Sequence, residues 1–251
     1  MGMLYLLGTD PLALMPNKAK VEAALRNTGC VVVQDSFMSE TAALADILLP
    51  CPTYGEEDGS FTNNEGRVQA VRKVREPTFD ALESHQIFAA IAQAFGHDFG
   101  ICAPTDVFAE ITRLIPNYQG LSPTNPDADG AFTKSGAADT KALAMPPASI
   151  SQAGPSGSGQ LRLLTGDTMF LSGNISERSA VLAGLGGAPY AELHPDSVPG
   201  HLSEGDDIIL ANDQGSLTLK VKLNSGLLPG SVFVPESFGA NLLLSSKSSS
   251  S

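Results

Sequence analysis

The chain has 251 residues, a formal charge of −12 and an isoelectric point near 4.6. It lacks the clustered lysine and arginine that phosphate backbones require, which argues against nucleic acid and an anionic membrane surface as partners. Its 42% hydrophobic content suits a globular chain with one large or two ordinary domains. No apolar run approaches the ~20 residues of a membrane-spanning helix, so we expect no direct membrane insertion.

The first 50 residues alternate apolar runs with helical patterns. The predicted strands are Met3–Leu7, Cys30–Val33 and Ile47–Leu49, and the predicted helices between them are 16–29 and 41–45. This βαβ order predicts an α/β fold with a parallel, Rossmann-like sheet whose strands are buried. Because a strand begins almost at the first residue, we expect the chain to lie beside something larger.

In parallel sheets, ligands bind beyond the carboxyl ends of the strands. That edge should carry three loops: 8–11, 35–39 and 50–67. The third is long, since connections in compact domains usually take about 4–6 residues. Its successive carboxylates (Glu56, Glu57 and Asp58) should point apart in an extended loop, so we expect a solvated turn rather than an acid–base pair.

The chain then becomes helical before its composition changes. Val68–Val74 alternates like a half-buried strand, and Leu82–Phe95 and Thr105–Ile115 are predicted amphipathic helices, the second with Thr105 as its N-cap. Residues 1–115 should therefore form the α/β domain. Residues 116–160 are rich in Pro, Gly and Ser and are a predicted flexible linker, with a turn of helix at Thr140–Met145.

The second half carries short apolar strands separated by glycine turns, which predicts a small β-barrel or sandwich over residues 161–243. The predicted strands are 161–164, 208–210, 217–223 and 232–234, with helical turns near 179–183 and 197–202. The serine-rich tail, 244–251, should be disordered.

Catalytic and metal-binding patterns are weak in this sequence. Cys30, Cys51 and Cys102 are far apart and form no CxxC pair, which argues against a disulfide framework or a four-cysteine metal site and favours a reducing compartment. The four histidines have no metal-ligand spacing, and no GxSxG motif occurs. We therefore predict neither catalytic residues nor metal ligands in this chain.

Two short segments instead suit ligand binding, because they offer backbone N–H groups, amides and a guanidinium. They are Gly8, Thr9 and Asp10 after the first strand, and Asn64, Gly66 and Arg67 in the long loop. This set fits a polyanionic or heteroaromatic cofactor. The residues alone support equally well the alternative that these groups only stabilise the loop.

The run ADILLP at Ala45–Pro50, followed by the acidic glycine loop and FTNNEGRVQ at Phe61–Gln69, resembles the molybdopterin oxidoreductase superfamily. GTDPL, from Gly8, resembles that family's first nucleotide-facing loop, and residues 191–221 resemble its dinucleotide-binding barrel. The resemblance implies a double-psi-type barrel in the second half. It also implies that the six residues named above, with Thr165 and Gly166, correspond to cofactor-binding positions, weak or vestigial here.

Within the superfamily, residues 163–182 (LLTGDTMFLSGNISERSAVL) are most similar to the carboxy-terminal part of the large iron–sulfur subunit of NADH-quinone oxidoreductase, the G-type subunit of complex I. The resemblance implies a structural part of a respiratory assembly on the cytoplasmic side, with the other peripheral-arm subunits as partners. Iron–sulfur clusters are then expected only in an amino-terminal segment that this chain lacks. One departure matters, because relatives usually have Thr-Gly-Arg where this chain has Thr165-Gly166-Asp167, and a carboxylate there would repel a pyrophosphate.

Two alternatives remain open. One is the segment of a split molybdenum or tungsten oxidoreductase, such as a formate dehydrogenase, that binds molybdopterin guanine dinucleotide. The other is a free-standing interaction module. Bound cofactor would favour the first, and a stable monomer without partners would favour the second.

Overall fold

The computed structural model describes residues 1–122, 130–134 and 160–244. These residues fall into two compact units. The parallel-sheet unit contains 2–9, 30–122 and 130–134, and the mixed-sheet unit contains Met1, 10–29 and 160–244. The domain boundaries at residues 115, 160 and 243 stay predictions. The turn predicted at 140–145 and the tail from residue 245 lie outside the described residues.

Strands and helices are numbered here in chain order. The strands are β1 (Leu4–Leu7), β2 (Val31–Asp35), β3 (Ile47–Pro50), β4 (Gly59–Thr62), β5 (Arg67–Val71), β6 (Ala131–Phe132), β7 (Arg162–Gly166), β8 (Tyr190–Leu193), β9 (Asp207–Ala211), β10 (Ser216–Leu223) and β11 (Ser231–Pro235). The α-helices are α1 (Pro11–Leu14), α2 (Lys18–Arg26), α3 (Ser84–Ala94), α4 (Pro104–Leu114), α5 (Asn174–Glu177) and α6 (Ala180–Gly186).

The first sheet has the order β1-β2-β3 and is parallel throughout, which confirms the predicted α/β pattern. Its central strand is buried, with Val33 fully inaccessible, as β-branched residues in a parallel sheet should be. The third strand differs from the prediction. Ile47 is 47% exposed, because β3 has a single neighbouring strand within the described residues.

Part of the long predicted loop is a hairpin. β4 and β5 pair antiparallel, and β6 adds to β5 with Ala131 opposite Val68. Within the predicted linker at residues 116–160, the described residues contain the strand β6 and a 3₁₀ turn at Pro116–Tyr118. The strand β6 was not predicted, because it has two residues and its surroundings are rich in Pro and Gly. It pairs with β5 opposite the buried Val68.

One of the two helices of this unit has a different N-cap from the one predicted. α3 starts with a reciprocal cap in which the Glu83 N–H donates to Gln86 Oε1 at 3.1 Å. α4 starts at Pro104 rather than after Thr105, so the predicted N-cap is wrong. The carboxylate of Asp106 accepts the N–H groups of Cys102 and Ala103, at 2.9 and 2.8 Å, and replaces the hydroxyl cap.

The mixed-sheet unit contains five strands in the order β7-β11-β8-β10-β9. β7 pairs parallel with β11 and β8 with β10, whereas the β11–β8 and β10–β9 pairs are antiparallel. A core of buried side chains lies on and next to these strands: Ala191, Leu193, Leu219, Val221, Val232, Val234 and Ala240. The prediction located four of the strands and missed β8.

Side-chain amides connect the segment Asp10–Gly29 by hydrogen bonds to later residues of the mixed-sheet unit. Asn17 has a left-handed backbone (φ 58°), caps α2 by accepting the Lys20 N–H, and donates from Nδ2 to Gln214 at 2.8 Å. Asn241 Nδ2 donates to the C=O of Leu12 at 2.7 Å. The helix predicted from Pro16 begins at Lys18, and α1 was not predicted. No helix among the described residues is long and apolar enough to cross a bilayer.

Asp46, the aspartate of the ADILLP run, should be needed for stability. Its Oδ2 accepts the N–H of Val31 at 2.7 Å, and its own N–H donates to the Val31 C=O at 2.9 Å. Asp46→Ala removes the acceptor of a backbone N–H on a residue that is 2% exposed, which should cost about 1–3 kcal/mol in chemical denaturation. Asp46→Asn keeps an oxygen and should cost less. Equal losses in both variants would contradict this role.

Candidate functional site

The carboxyl ends of β1, β2 and β3 meet at one edge of the parallel sheet, where ligands of such folds bind. The N–H of Gly8 donates to the C=O of Gln34 at 2.9 Å, and the N–H of Cys51 donates to the C=O of Asp35 at 3.2 Å. Gly8 has φ +58°, a backbone region that favours glycine. The first residue of each of these two loops is thus held against the end of the neighbouring strand.

Gln34 is the buried polar residue at this edge, and its side chain is fully inaccessible. Its Oε1 accepts the hydroxyl of Tyr5 at 2.7 Å, and its Nε2 donates to Ser84 Oγ at 3.0 Å. The ring of Tyr5 in turn stacks on Phe88, with centroids 5.8 Å apart. One amide therefore joins β1 and β2 to the first turn of α3.

Cys51 lies beside this network. Its Sγ is 3.6 Å from Ser36 Oγ, and the Ser36 hydroxyl donates to the C=O of Pro52 at 2.8 Å. Burial raises the pKa of the Cys51 thiol, and the nearby carboxylates of Asp35 and Glu57 raise it further, while hydrogen bonding to Ser36 opposes them. The thiol is therefore held protonated at neutral pH and is poorly suited to act as a nucleophile.

The same region holds two carboxylates at close range. Burial raises the pKa of Glu57, the charge of Glu83 raises it further, and the backbone N–H of Ser84 and the imidazole of His85 oppose the shift. Glu83 Oε2 lies 3.6 Å from His85 Nδ1, and both side chains are largely buried. This edge of the sheet is therefore acidic, which disfavours a negatively charged ligand.

The three successive carboxylates of the loop point to different partners. Glu56 Oε2 accepts the N–H of Thr53 at 3.1 Å, its Oε1 lies 3.1 Å from Arg75 Nε, and these contacts, the Thr53 N–H first, lower the pKa of Glu56. Asp58 Oδ1 accepts the N–H of Lys73 at 2.9 Å. They do not form an acid–base pair with Glu57.

Gly66 and Arg67 lie in the β4–β5 turn, on a different sheet from Gly8 and Thr9. Asn63 Oδ1 accepts the N–H groups of Glu65 and Arg67, at 3.0 and 2.9 Å. Gly66 has φ +79°, and a Cβ there would lie 2.5 Å from Thr133 Oγ1, so the turn requires glycine. The Arg67 guanidinium lies over the ring of Phe132, 4.6 Å from its centroid. These contacts brace the hairpin, and Asn64 is exposed beside them.

The Thr165 loop lies in the mixed-sheet unit, after β7. β7 and β11 are parallel and in register, with Gly166 opposite Pro235, so Asp167 and Glu236 follow neighbouring strand ends. Thr165 Oγ1 donates to Glu236 Oε1 at 3.4 Å. The loop that follows β7 therefore lies next to the carboxylate of Glu236 and itself begins with Asp167.

The eight predicted binding residues thus fall in separate places. Gly8 and Thr9 lie at the edge of the parallel sheet, and Asn64, Gly66 and Arg67 lie on the hairpin. Asp10, Thr165 and Gly166 belong to the other unit. Asp10 is 3% exposed, and its C=O accepts the N–H groups of Ala13 and Leu14, so it starts α1.

Sequence reasoning missed the residues that dominate these edges. Gln34 ends the run VVVQ. A polar residue at the end of an apolar strand is the signal that could have identified Gln34. Glu83 and His85 lie within the predicted helix Leu82–Phe95, and Glu236 lies beyond the predicted strand 232–234. Over the described residues, no group of three or more His, Cys, Asp or Glu side chains is arranged to hold a metal ion.

The raised pKa of Glu57 predicts a dependence of stability on pH. A carboxyl whose pKa is higher in the folded state stabilises the fold at low pH, and this contribution is lost as the pH rises through the folded pKa. Glu57→Gln cannot ionise and keeps an oxygen for the Ser84 N–H. Its melting temperature should therefore rise relative to wild type as the pH increases above about 4.3, the ordinary pKa of a glutamate. Glu65→Gln, at a carboxylate that is 70% exposed, is the control. Parallel curves for all three proteins would contradict the prediction.

Three comparisons relate this chain to known proteins. Residues 1–94 match the family model described as Molybdopterin oxidoreductase. The chain is 42% identical over 96% of its length to the second G-type subunit of NADH-quinone oxidoreductase from Rhizobium meliloti. It is 30% identical over 94% of its length to the alpha subunit of F420-dependent formate dehydrogenase from Methanocaldococcus jannaschii. It spans 28% and 38% of those two relatives, respectively.

The fold is also found among solved structures. Acetylene hydratase from Pelobacter acetylenicus matches 93% of this chain with a TM-score of 0.68, at 19% sequence identity and over 37% of the hydratase chain. At that identity the likeness concerns the fold alone, whose mixture of parallel and antiparallel sheets agrees with the predicted α/β class. The ADILLP and FTNNEGRVQ motifs lie inside the matched residues. Residues 1–94 of the chain are therefore similar to the molybdopterin oxidoreductase family.

Proposed function

We propose that this chain is the carboxy-terminal structural part of a protein like the G-type iron–sulfur subunit of an NADH-quinone oxidoreductase, with electrons passing through clusters held by other segments. The observation that carries the proposal is the 42% identity to the Rhizobium meliloti G-type subunit over 96% of the chain, which includes both compact units. We infer that other peripheral-arm subunits are its partners and hold it at the cytoplasmic face of the membrane. We also propose that the five-stranded mixed sheet is a double-psi-type barrel.

The charges at both strand edges support a structural role. A pterin dinucleotide presents a pyrophosphate, which relatives of this kind should meet with backbone N–H groups and cations. Here Asp167 and Glu236 follow β7 and β11, and Asp35 and Glu57 lie at the edge of the parallel sheet. Arg67 is engaged with Phe132 and Glu65. These residues do not fit a pyrophosphate, so we propose that the eight family positions are vestigial and that the chain holds no cofactor.

A second candidate is the pterin-dinucleotide-binding segment of a split molybdenum or tungsten oxidoreductase. The observation that favours it is the 30% identity to the alpha subunit of F420-dependent formate dehydrogenase. It requires the Thr165 loop to accept the cofactor in spite of Asp167 and Glu236. The two candidates therefore differ in one measurable property, the affinity for a nucleotide pyrophosphate.

The purified chain should contain no stoichiometric molybdenum, tungsten or iron by elemental analysis and should not bind guanosine diphosphate in calorimetry. The double variant Asp167→Arg, Glu236→Gln replaces one carboxylate by a cation and neutralises the other, and it should bind the probe measurably more tightly than wild type. The matched control is Asp213→Arg, a surface change in the β9–β10 turn that should leave the affinity unchanged. Stoichiometric molybdenum, or wild-type binding that Gly166→Val abolishes, would favour the second candidate instead.

The proposed partners can be tested in the organism that makes the chain. Affinity purification of a version tagged at its own locus should recover, by mass spectrometry, subunits of an NADH-quinone oxidoreductase at constant stoichiometry. A matched control is the same tag on an unrelated protein of similar abundance. Recovery of a monomer without partners would contradict the proposal and would favour a free-standing interaction module.

A further inference from the structure

A cavity of about 380 Å³ opens in the parallel-sheet unit between the β4–β5–β6 sheet and the start of α4. This volume lies within the range of about 300–1,000 Å³ that is typical of small-molecule sites. None of the eight family positions lines it. It is therefore separate from the strand edges described above, and its occupant is independent of the proposed function.

The walls of the cavity are mostly apolar. Val68 and Phe108 line it and are 3% and 7% exposed, respectively. Ala131 pairs opposite Val68, so both side chains lie on the same face of the sheet. Phe108 is fixed by an edge contact with Tyr118, with centroids 6.4 Å apart. An apolar group of side-chain size would bury its surface here against Val68 and Phe108.

The rim carries two exposed residues of opposite charge, Asp58 and Arg72. They stand at the same end of the hairpin, because Gly59 pairs opposite Val71. Asp58 Oδ1 accepts the N–H of Lys73, and no ion pair joins Asp58 to Arg72 in the described structure.

Arg72 is unusual among the arginines of this chain. Each of the six others takes part in a hydrogen bond, an ion pair, a ring contact or another electrostatic interaction. Arg72 has no such partner among the described residues. A guanidinium at the rim of an apolar cavity is thus available to a carboxylate, which it can bind through two N–H groups.

We propose that this cavity binds a small apolar α-amino acid as a zwitterion. Arg72 pairs with the carboxylate, Asp58 accepts the ammonium through the oxygen that Lys73 does not use, and the side chain packs on Val68 and Phe108. A simple carboxylate fits less well, because it leaves Asp58 facing a like charge. A simple amine fits less well, because it leaves Arg72 unpaired.

Three probes of one shape separate these possibilities in calorimetry or ligand-observed NMR. They are L-phenylalanine, 3-phenylpropanoate, which lacks the ammonium, and 2-phenylethylamine, which lacks the carboxylate. L-phenylalanine should bind the full chain with one-to-one stoichiometry and at least about tenfold more tightly than either analogue, since each analogue loses one charge-assisted contact. Absent binding of L-phenylalanine, or equal affinity for all three probes, would overturn the proposal.

Variants test the assigned roles. Arg72→Met should weaken L-phenylalanine at least about tenfold, whereas Arg113→Met, at an arginine of α4 that does not line the cavity, should have no effect. Ala70→Leu narrows the cavity from an exposed wall position and should abolish binding without disturbing the core. Asp58→Asn keeps an oxygen for the Lys73 N–H and should shift the preference toward 3-phenylpropanoate. Unchanged affinity in Arg72→Met and Ala70→Leu, or an equal loss of both probes in Asp58→Asn, would refute the site.

Discussion

One buried amide, that of Gln34, holds together the edge of the parallel sheet. It accepts from Tyr5 on β1 and donates to Ser84 at the start of α3, so two strands and a helix start share one residue. Because its side chain is fully buried, loss of either partner would leave a polar group without water or protein contact. The backbone of the same strand holds the starts of two loops, because the C=O groups of Gln34 and Asp35 accept the N–H groups of Gly8 and Cys51.

The charges that these loops present decide what the edge can do. Glu57 has a raised pKa because it is buried and close to Glu83, and the thiol of Cys51 is held protonated by burial. In the mixed-sheet unit, Asp167 and Glu236 follow the parallel strands β7 and β11. The two units therefore share a property, since each presents carboxylates at or just beyond the carboxyl ends of parallel strands.

The local patterns of the sequence predicted most of the elements, because apolar runs and helical periods are short-range signals. The strands β1, β2 and β3 belong to this class. What escaped prediction depends on residues far apart in the chain. Tyr5 and Ser84 are 29 and 50 residues from Gln34, and Glu236 is 71 residues from Thr165. β6 escaped because two apolar residues in a Pro- and Gly-rich region have no period, and their role depends on pairing with Val68.

The claim that the family scaffold persists here without its ligand is tested most directly by electron cryo-microscopy of the assembly purified from the organism that makes the chain. We predict a map in which the chain packs against other oxidoreductase subunits and in which Asp167 and Glu236 face no phosphate density beyond β7 and β11. Density for a nucleotide pyrophosphate within hydrogen-bond distance of the Gly166 N–H would contradict the claim.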